Sequence, residues 1–109
     1  MERLNIYFSA DTDLTEYEAI NKGYRLDVYV KIDENIFNLR VYTLIRLQQD
    51  FETEWKTTKR YLAEPNLVLV RETAKEEIIS TVNELYRQNY FEYIKSINNI
   101  DISKLVRIQ

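Results

Sequence analysis

Two stretches in the first half of the chain alternate strictly between apolar and polar residues. Even-numbered positions are apolar from Tyr24 to Ile32, and odd-numbered positions are apolar from Phe37 to Leu47, with Thr43 as the exception. A period of two predicts strands that bury one face. An acidic turn sequence at residues 33–35 separates the two stretches, so the pattern predicts an antiparallel hairpin.

The register of this hairpin is restricted by the parity of its apolar positions. Residues that oppose each other share a face, so the numbers of two paired residues must add to an odd sum. A connection of two or four residues satisfies this condition, whereas three residues would require a bulge. One register that fits sets Val28 against Val41, and it also sets Tyr29 against Arg40 and Asp27 against Tyr42.

Helical patterns flank the hairpin on both sides. A short helix is predicted from Leu14 to Lys22, with Asp13 as its N-cap and Gly23 as its C-terminal stop. A second helix follows the capping-box sequence that runs from Thr73 to Glu76. Its apolar stripe comprises Ile78, Ile79, Val82, Leu85 and Tyr86.

The remaining segments predict shorter strands. Residues 4–8 alternate and predict a first strand, and residues 67–70 are apolar on both faces, which predicts a central strand. Residues 48–62 fit two periods, because Leu47, Phe51 and Trp55 have helical spacing whereas the threonines alternate as in a strand. We interpret this segment as a strand because threonine favours strands, with a helix as the alternative. The C-terminal tail predicts a short edge strand.

This order of elements predicts one α+β domain over residues 1–109, with two layers. The expected sheet has four to five strands, is dominated by antiparallel pairs and carries its helices on one face. A chain of 109 residues is long enough for one hydrophobic core. No signal peptide and no apolar run of about 18 residues is present, so we expect a cytoplasmic protein without membrane association.

Composition argues against most catalytic chemistry. The chain has no histidine, no cysteine and one glycine. Nucleophile pairs that depend on histidine, zinc sites built from Cys and His, and glycine-rich phosphate loops are therefore excluded. A net charge of −3 is unfavourable for nucleic-acid binding. We therefore expect a binding protein rather than an enzyme, with no cofactor and no bound metal.

The outer face of the predicted hairpin is the main candidate site. Tyrosine and arginine are enriched at binding hot spots, and this face combines both with an exposed leucine. The alternative is a solvated face on which Asp27 pairs with a neighbouring arginine. The candidate partner-binding residues are Arg25, Asp27, Tyr29, Arg40, Tyr42, Leu44 and Arg46.

Two groups of acidic residues are weaker candidates. Asp50, Glu52 and Glu54 would share a face if their segment is a strand, and carboxylates beside Trp55 could hold a metal or a sugar. The basic residues that follow, Lys56, Lys59 and Arg60, favour a compensated and solvated segment instead. With Trp55 and Tyr61 they also form a minimal footprint for single-stranded nucleic acid, which the net charge disfavours.

A second acidic group lies after the first predicted strand. The sequence Asp11-x-Asp13-x-Thr15 resembles the first motif of haloacid-dehalogenase-type phosphatases, in which the first aspartate is the nucleophile. The resemblance covers five residues, and the chain has no glycine after Gly23 for the metal loop of that family. We therefore favour the structural interpretation, in which Asp13 caps a helix.

Size, composition and the segment Thr73-x-x-Glu76-Glu77-Ile78-Ile79 resemble small bacterial immunity proteins that accompany polymorphic or contact-dependent toxins. The resemblance implies a stoichiometric inhibitor that occludes the active site of a cognate toxin. Carboxylates would offset a basic cleft and raise the association rate. The candidates for this role are Asp27, Asp33, Glu34, Asp50, Glu52 and Glu54.

Two other function classes remain as alternatives. One is a small enzyme that uses carboxylates and a divalent metal, which would require Asp11 and Asp13 to converge with Asp50 or Glu52. The other is a self-associating phage or bacterial accessory protein, which would form at least a homodimer and present an exposed edge strand.

Overall fold

The structure is a computed structural model that describes residues 4–57 and 61–109. Two short 3₁₀ turns, at Tyr90–Glu92 and Ile102–Lys104, accompany the helices and strands. The elements in chain order are β1 (Leu4–Phe8), α1 (Asp13–Lys22), β2 (Tyr24–Ile32), β3 (Asn35–Thr43), α2 (Leu44–Thr57), β4 (Leu67–Val70), α3 (Lys75–Arg87) and β5 (Val106–Arg107).

The strands form a five-stranded sheet in the order β4-β3-β2-β1-β5. All neighbouring pairs are antiparallel except β3 and β4, which are parallel because the chain crosses over through α2 between them. The predicted α+β fold with an antiparallel-dominated sheet is therefore confirmed. The edge strand predicted in the C-terminal tail forms as β5, and it pairs with β1.

The hydrophobic core lies between the sheet and α3. Ile78 and Val82 of α3 pack against strand residues such as Phe8, Val28 and Leu39, which are all buried. Ile79, Leu85 and Tyr86 pack at the margin of the same cluster. The apolar stripe predicted for this helix is therefore the stripe that covers the sheet.

Helix α1 has a different N-cap from the one predicted. Thr12 rather than Asp13 caps it, because the Thr12 hydroxyl accepts a hydrogen bond from the Thr15 amide and the Thr15 hydroxyl accepts one from the Thr12 amide. The predicted stop at Gly23 is confirmed by its φ of 74°. A Cβ atom at Gly23 would also lie 2.8 Å from Oγ1 of Thr43, so a larger residue would be strained there.

The predicted capping box of α3 is wrong, because Thr73 and the first turn of α3 make their hydrogen bonds to residues of α1. The Thr73 hydroxyl is buried and donates to the carbonyl of Ala19, 2.6 Å away. Ala74 is the N-cap and makes no side-chain hydrogen bond. The Lys75 amide instead donates to the carboxylate of Glu16 at 2.9 Å. The first turn of α3 is thus held by a residue of another helix.

The hairpin has a two-residue turn, which is one of the two connections that the parity of the apolar positions allows. The example register is wrong, because Val28 opposes Leu39 rather than Val41, and a bulge that alternation did not predict shifts the register between Arg25 and Val28. Because the bulge adds one residue to β2, Arg25 opposes Val41 and turns toward the buried face. Leu26, which alternation placed inside, is exposed.

The segment after β3 also differs from the prediction. Strand β3 ends at Thr43, and residues 44–57 form helix α2, so the strand interpretation of residues 48–62 is wrong over residues 48–57, while residues 58–60 lie outside the described part of the chain. Strand β4 lies at an edge of the sheet rather than at its centre. Its two faces are nevertheless both apolar, because Val68 and Val70 pack on the core whereas Leu67 lines a groove beside α2.

Candidate protein-binding surface

The predicted platform on the hairpin does not form a single outer surface. Arg25 is 6% exposed, and its guanidinium lies 3.6 Å from the centre of the Phe8 ring. Its Nε atom donates to Asp27 at 2.8 Å, and a terminal nitrogen donates to the carbonyl of Ala10. Arg25 therefore stabilises the bulge of β2 and is not presented to a partner.

Asp27 is held in the same cluster. Its carboxylate accepts hydrogen bonds from the backbone amide and the hydroxyl of Ser9, in addition to those from Arg25. Burial acts to raise the pKa of Asp27, but the hydrogen bonds from Ser9 and the positive charge of Arg25 outweigh it, and the pKa is lowered. The carboxylate is therefore charged at neutral pH and holds β1 to β2.

Tyr42 and Arg40 also make internal contacts. Tyr42 is 4% exposed and stacks on Tyr24, with ring centres 5.8 Å apart. Burial and the nearby carboxylates of Glu64 and Asp50 raise the pKa of Tyr42. Arg40 donates to Glu64 at 2.9 Å. The face around Tyr42 is thus covered by its own chain.

Of the remaining platform residues, Tyr29 lies half-buried on β2, and Leu44 and Arg46 belong to α2 rather than to the hairpin. Leu44 is exposed. Arg46 lies over the Tyr24 ring, 4.6 Å from its centre, and contacts Asp50 at 3.0 Å. The structure therefore divides the predicted site between the bulge, the sheet interior and α2.

The acidic candidates are also separated. Asp33 and Glu34 are exposed at the hairpin turn. The predicted shared face of Asp50, Glu52 and Glu54 is wrong, because a helix rotates about 100° per residue and turns Glu52 away from the other two. Glu52 is exposed, whereas Asp50 and Glu54 are half-buried.

The carboxylates of the metal-dependent alternative make separate ion pairs. Asp11 contacts Lys75 at 3.1 Å, whereas Asp50 contacts Arg46. Within residues 4–57 and 61–109, no group of three or more carboxylates is close enough to hold a metal ion. Of the predicted basic patch, Lys56 is exposed on α2, and residues 59 and 60 lie outside the described part of the chain.

Helix α2 presents an unusual orientation. None of its residues from Leu44 to Thr57 is buried. The side that faces the domain carries the polar pair Arg46 and Asp50, which are half-buried, together with Leu47 at its margin. The side opposite this pair carries Gln48, Glu52 and Ile45, which are exposed, and the apolar stripe of α2 lies between the two sides. We define the α2 surface as Leu44, Phe51 and Trp55, the residues of this stripe that are 55%, 39% and 59% exposed.

A groove continues this surface toward the edge of the sheet. It has a volume of about 500 Å³ and lies between α2 and the segment that leads into β4. Leu47 and Phe51 line one side, and Leu62 and Leu67 line the other. Beyond the groove, Leu69 of the edge strand is 49% exposed. The exposed apolar residues of this region thus extend from the helix to the open edge of β4.

The helical spacing of apolar residues in the sequence indicates this surface, although we interpreted residues 48–62 as a strand and kept the helix as the alternative. Leu44, Leu47, Phe51 and Trp55 are spaced by three or four residues, which is typical of one helical stripe. Such spacing does not show whether a stripe faces the core or solvent. Burial in the structure provides that information.

Comparisons of the chain with protein-family models, curated proteins and solved structures find no match. None of the helices in the described part of the chain is long and apolar enough to cross a bilayer.

Proposed function

We propose that this chain is a non-catalytic protein-binding module and that the α2 surface is its binding site. The observation that carries the proposal is the orientation of α2, which packs Arg46 and Asp50 on the domain and leaves Leu44 and Trp55 of its apolar stripe in solvent. Contiguous exposed apolar patches commonly mark interaction sites. Tryptophan is also among the residues enriched at binding hot spots.

The energetics of α2 support this proposal. An isolated helix of 14 residues is marginal in water, so it depends on packing. Its apolar contacts with the domain are made by Leu47 and part of Phe51, which line the groove. Burial of the exposed parts of Phe51 and Trp55 against a partner would contribute on the order of 1–2 kcal/mol for each side chain. Binding would therefore stabilise the helix as well as the complex.

Site-specific photo-cross-linking tests this proposal. A photoreactive phenylalanine analogue replaces Trp55 in one variant and Tyr93 in a control, because Tyr93 is 84% exposed but lies outside α2. In the native host, we expect one discrete cross-linked protein from position 55 and none from position 93. Absence of a product at position 55, or equal products at both positions, would contradict the proposal.

The narrower proposal is that the module is an immunity-type inhibitor of a cognate toxin. It is supported by the resemblance in size, composition and the sequence around Glu76, and by the exposed carboxylates of Asp33, Glu34 and Glu52. Such charges would raise the rate of association with a basic cleft.

Association kinetics with the product of a neighbouring toxin gene test the narrower proposal. Replacing Asp33 with Asn and Glu34 with Gln should lower the association rate about tenfold at low salt. At high salt the variant and the wild type should converge, because salt screens exposed charges. Failure of the wild type to bind this toxin would contradict the narrower proposal and leave the broader one untouched.

A further inference from the structure

We infer that the partner of the α2 surface is a second copy of this chain, joined through antiparallel pairing of the two β4 strands about a two-fold axis. The inference rests on the proposed function, because it names the partner of the same surface. It is carried by two features on one side of the molecule, the open edge of β4 and the exposed apolar side of α2.

The free edge of β4 can accept another strand. Among the described residues, β4 pairs with β3 alone. Arg40 is the register partner of Leu67 and donates its amide to the carbonyl of Asn66, so Leu67 and Leu69 turn their own N–H and C=O groups to the free edge. The sequence LVLV has no charge, proline or glycine. It therefore has none of the sequence features that usually discourage pairing between sheet edges.

The pattern of β4 is compatible with two-fold symmetry. When the axis is perpendicular to the sheet, corresponding faces of the two copies lie on the same side, so the numbers of paired residues must add to an even sum. Setting Leu69 opposite Leu69 of the second copy satisfies this condition. This register covers the exposed Leu69 side chain and forms backbone hydrogen bonds at the axis.

Strand β4 alone is too small for a stable interface, so α2 must contribute to the buried area as well. A stable interface buries about 800 Å² on each partner, which is more than a four-residue strand provides. Phe51 and Leu67 line one groove, so α2 lies beside the β4 edge. The exposed parts of Phe51 and Trp55 add on the order of 200 Å². Leu44 and Leu69 add further apolar area, and the backbone of β4 contributes as well.

The charge distribution is compatible with this arrangement. Asp33 and Glu34 lie at the turn of the hairpin, whereas β4 pairs with residues 40–43 at its other end. Nine residues of strand span about 30 Å, so the acidic turns lie far from the axis. The dimer would therefore leave both acidic turns accessible to a different partner.

Disulfide formation by an introduced cysteine tests this inference, because the chain has no cysteine of its own that could compete. We expect the purified protein to sediment as a species of twice 13.2 kDa. A Leu69→Cys variant should form an intermolecular disulfide under mild oxidation, because its two sulfurs would meet at the axis. A Tyr93→Cys variant, with a more exposed cysteine, should remain reduced. Leu69→Arg should weaken self-association at least about 100-fold, since it places two charges at a hot spot, while cooperative unfolding is retained.

Different outcomes separate this inference from the proposed function. A monomer at all concentrations whose position 55 still cross-links to another protein would overturn the dimer and leave the binding module in place. A monomer without any cross-link would overturn both. A dimer that persists in Leu69→Arg, or equal disulfide yields at positions 69 and 93, would overturn the β4 geometry.

Discussion

Helices α2 and α3 have nearly the same length, 14 and 13 residues, and both have an apolar stripe. The stripe of α3 packs on the sheet and includes Ile78 and Val82, which are fully buried. The stripe of α2 is only partly covered, because Leu47 and Phe51 line a groove whereas Leu44 and Trp55 are exposed, and Arg46 and Asp50 face the domain. The two helices show that a periodic pattern identifies which side of a helix is apolar, while the tertiary structure decides what covers that side.

The contacts that hold the two helices differ in the same way. Helix α3 is held by apolar packing along its stripe, and Asp11 and Glu16 contact Lys75 at its first turn. Helix α2 lies at the end of the sheet where ion pairs are concentrated, including Arg46 with Asp50 and Arg40 with Glu64. We therefore expect core substitutions to act on the α3 side and loss of charge to act at the α2 end.

The largest expected effect is the difference in the free energy of unfolding between alanine substitutions of two isoleucines, one on each helix. Ile78→Ala should lower the free energy of unfolding by about 2–5 kcal/mol, because it leaves a cavity between α3 and the sheet. Ile45→Ala should change it by less than about 0.5 kcal/mol, because Ile45 is 70% exposed. Urea denaturation at low protein concentration measures both values without a contribution from self-association.

A result that reverses this order would break the contrast between the helices. If Ile45→Ala costs as much as Ile78→Ala, then α2 packs on its own domain through its apolar side and is not available to a partner. If both substitutions are neutral, the core does not lie beneath α3.

Much of the fold could be predicted from the sequence because pattern and burial agree in these segments. Strand β1, helix α1, strand β2 and the stripe of α3 have the predicted positions, and Gly23 ends α1 as expected. In β1, in β2 beyond its bulge and in α3, the apolar residues face the core, so the pattern contains the same information as the packing. Helix α1 differs, because Leu14, Tyr17 and Ile20 are exposed, and its position was predicted from its ends.

The rest could not be predicted because local patterns omit long-range contacts. The bulge after Arg25 depends on Phe8 and Ser9 of another strand, so alternation alone put Arg25 on the wrong face. In α2 the threonines favoured a strand, and the apolar residues with helical spacing are not part of the buried core. Both reasons apply to the predicted platform, because Arg25 and Asp27 lie at the bulge and Leu44 and Arg46 lie on α2.

An intermediate effect concerns the ionic contacts of the β2 bulge, which lies at the end of the sheet where α2 begins. The pKa of Asp27 is lowered from an ordinary value of 3.8 because, although burial raises it, the hydrogen bonds from Ser9 and the charge of Arg25 lower it more. The stabilisation is thus fully present above the unfolded-state pKa and is lost as pH falls through the lower, folded-state pKa. Asp27→Asn should be less stable than wild type at pH 7 and should approach it as the pH falls through the lowered pKa of Asp27.

Unfolding curves at a series of pH values measure this difference. Glu52→Gln is the matched control, because it removes an exposed carboxylate from α2 and should run parallel to wild type across the series. If Asp27→Asn and wild type differ by the same amount at every pH, the contact with Arg25 and Ser9 does not stabilise the charged carboxylate. The ionic character assigned to this end of the sheet would then be wrong.

The smallest effect concerns how the two helices begin. Helix α2 starts directly after β3, whereas the first turn of α3 is held by Glu16 of α1 through the Lys75 amide. Glu16→Ala should lower the free energy of unfolding by about 1 kcal/mol, as the loss of an N-cap does. Glu18→Ala should cost less, because Glu18 makes a long, exposed contact of 3.9 Å with Lys22. Amide hydrogen exchange should also accelerate at the start of α3 in Glu16→Ala and not in Glu18→Ala. Equal exchange in the two variants would mean that α3 is held by its apolar stripe alone, and the helices would then differ in burial but not in how they are anchored.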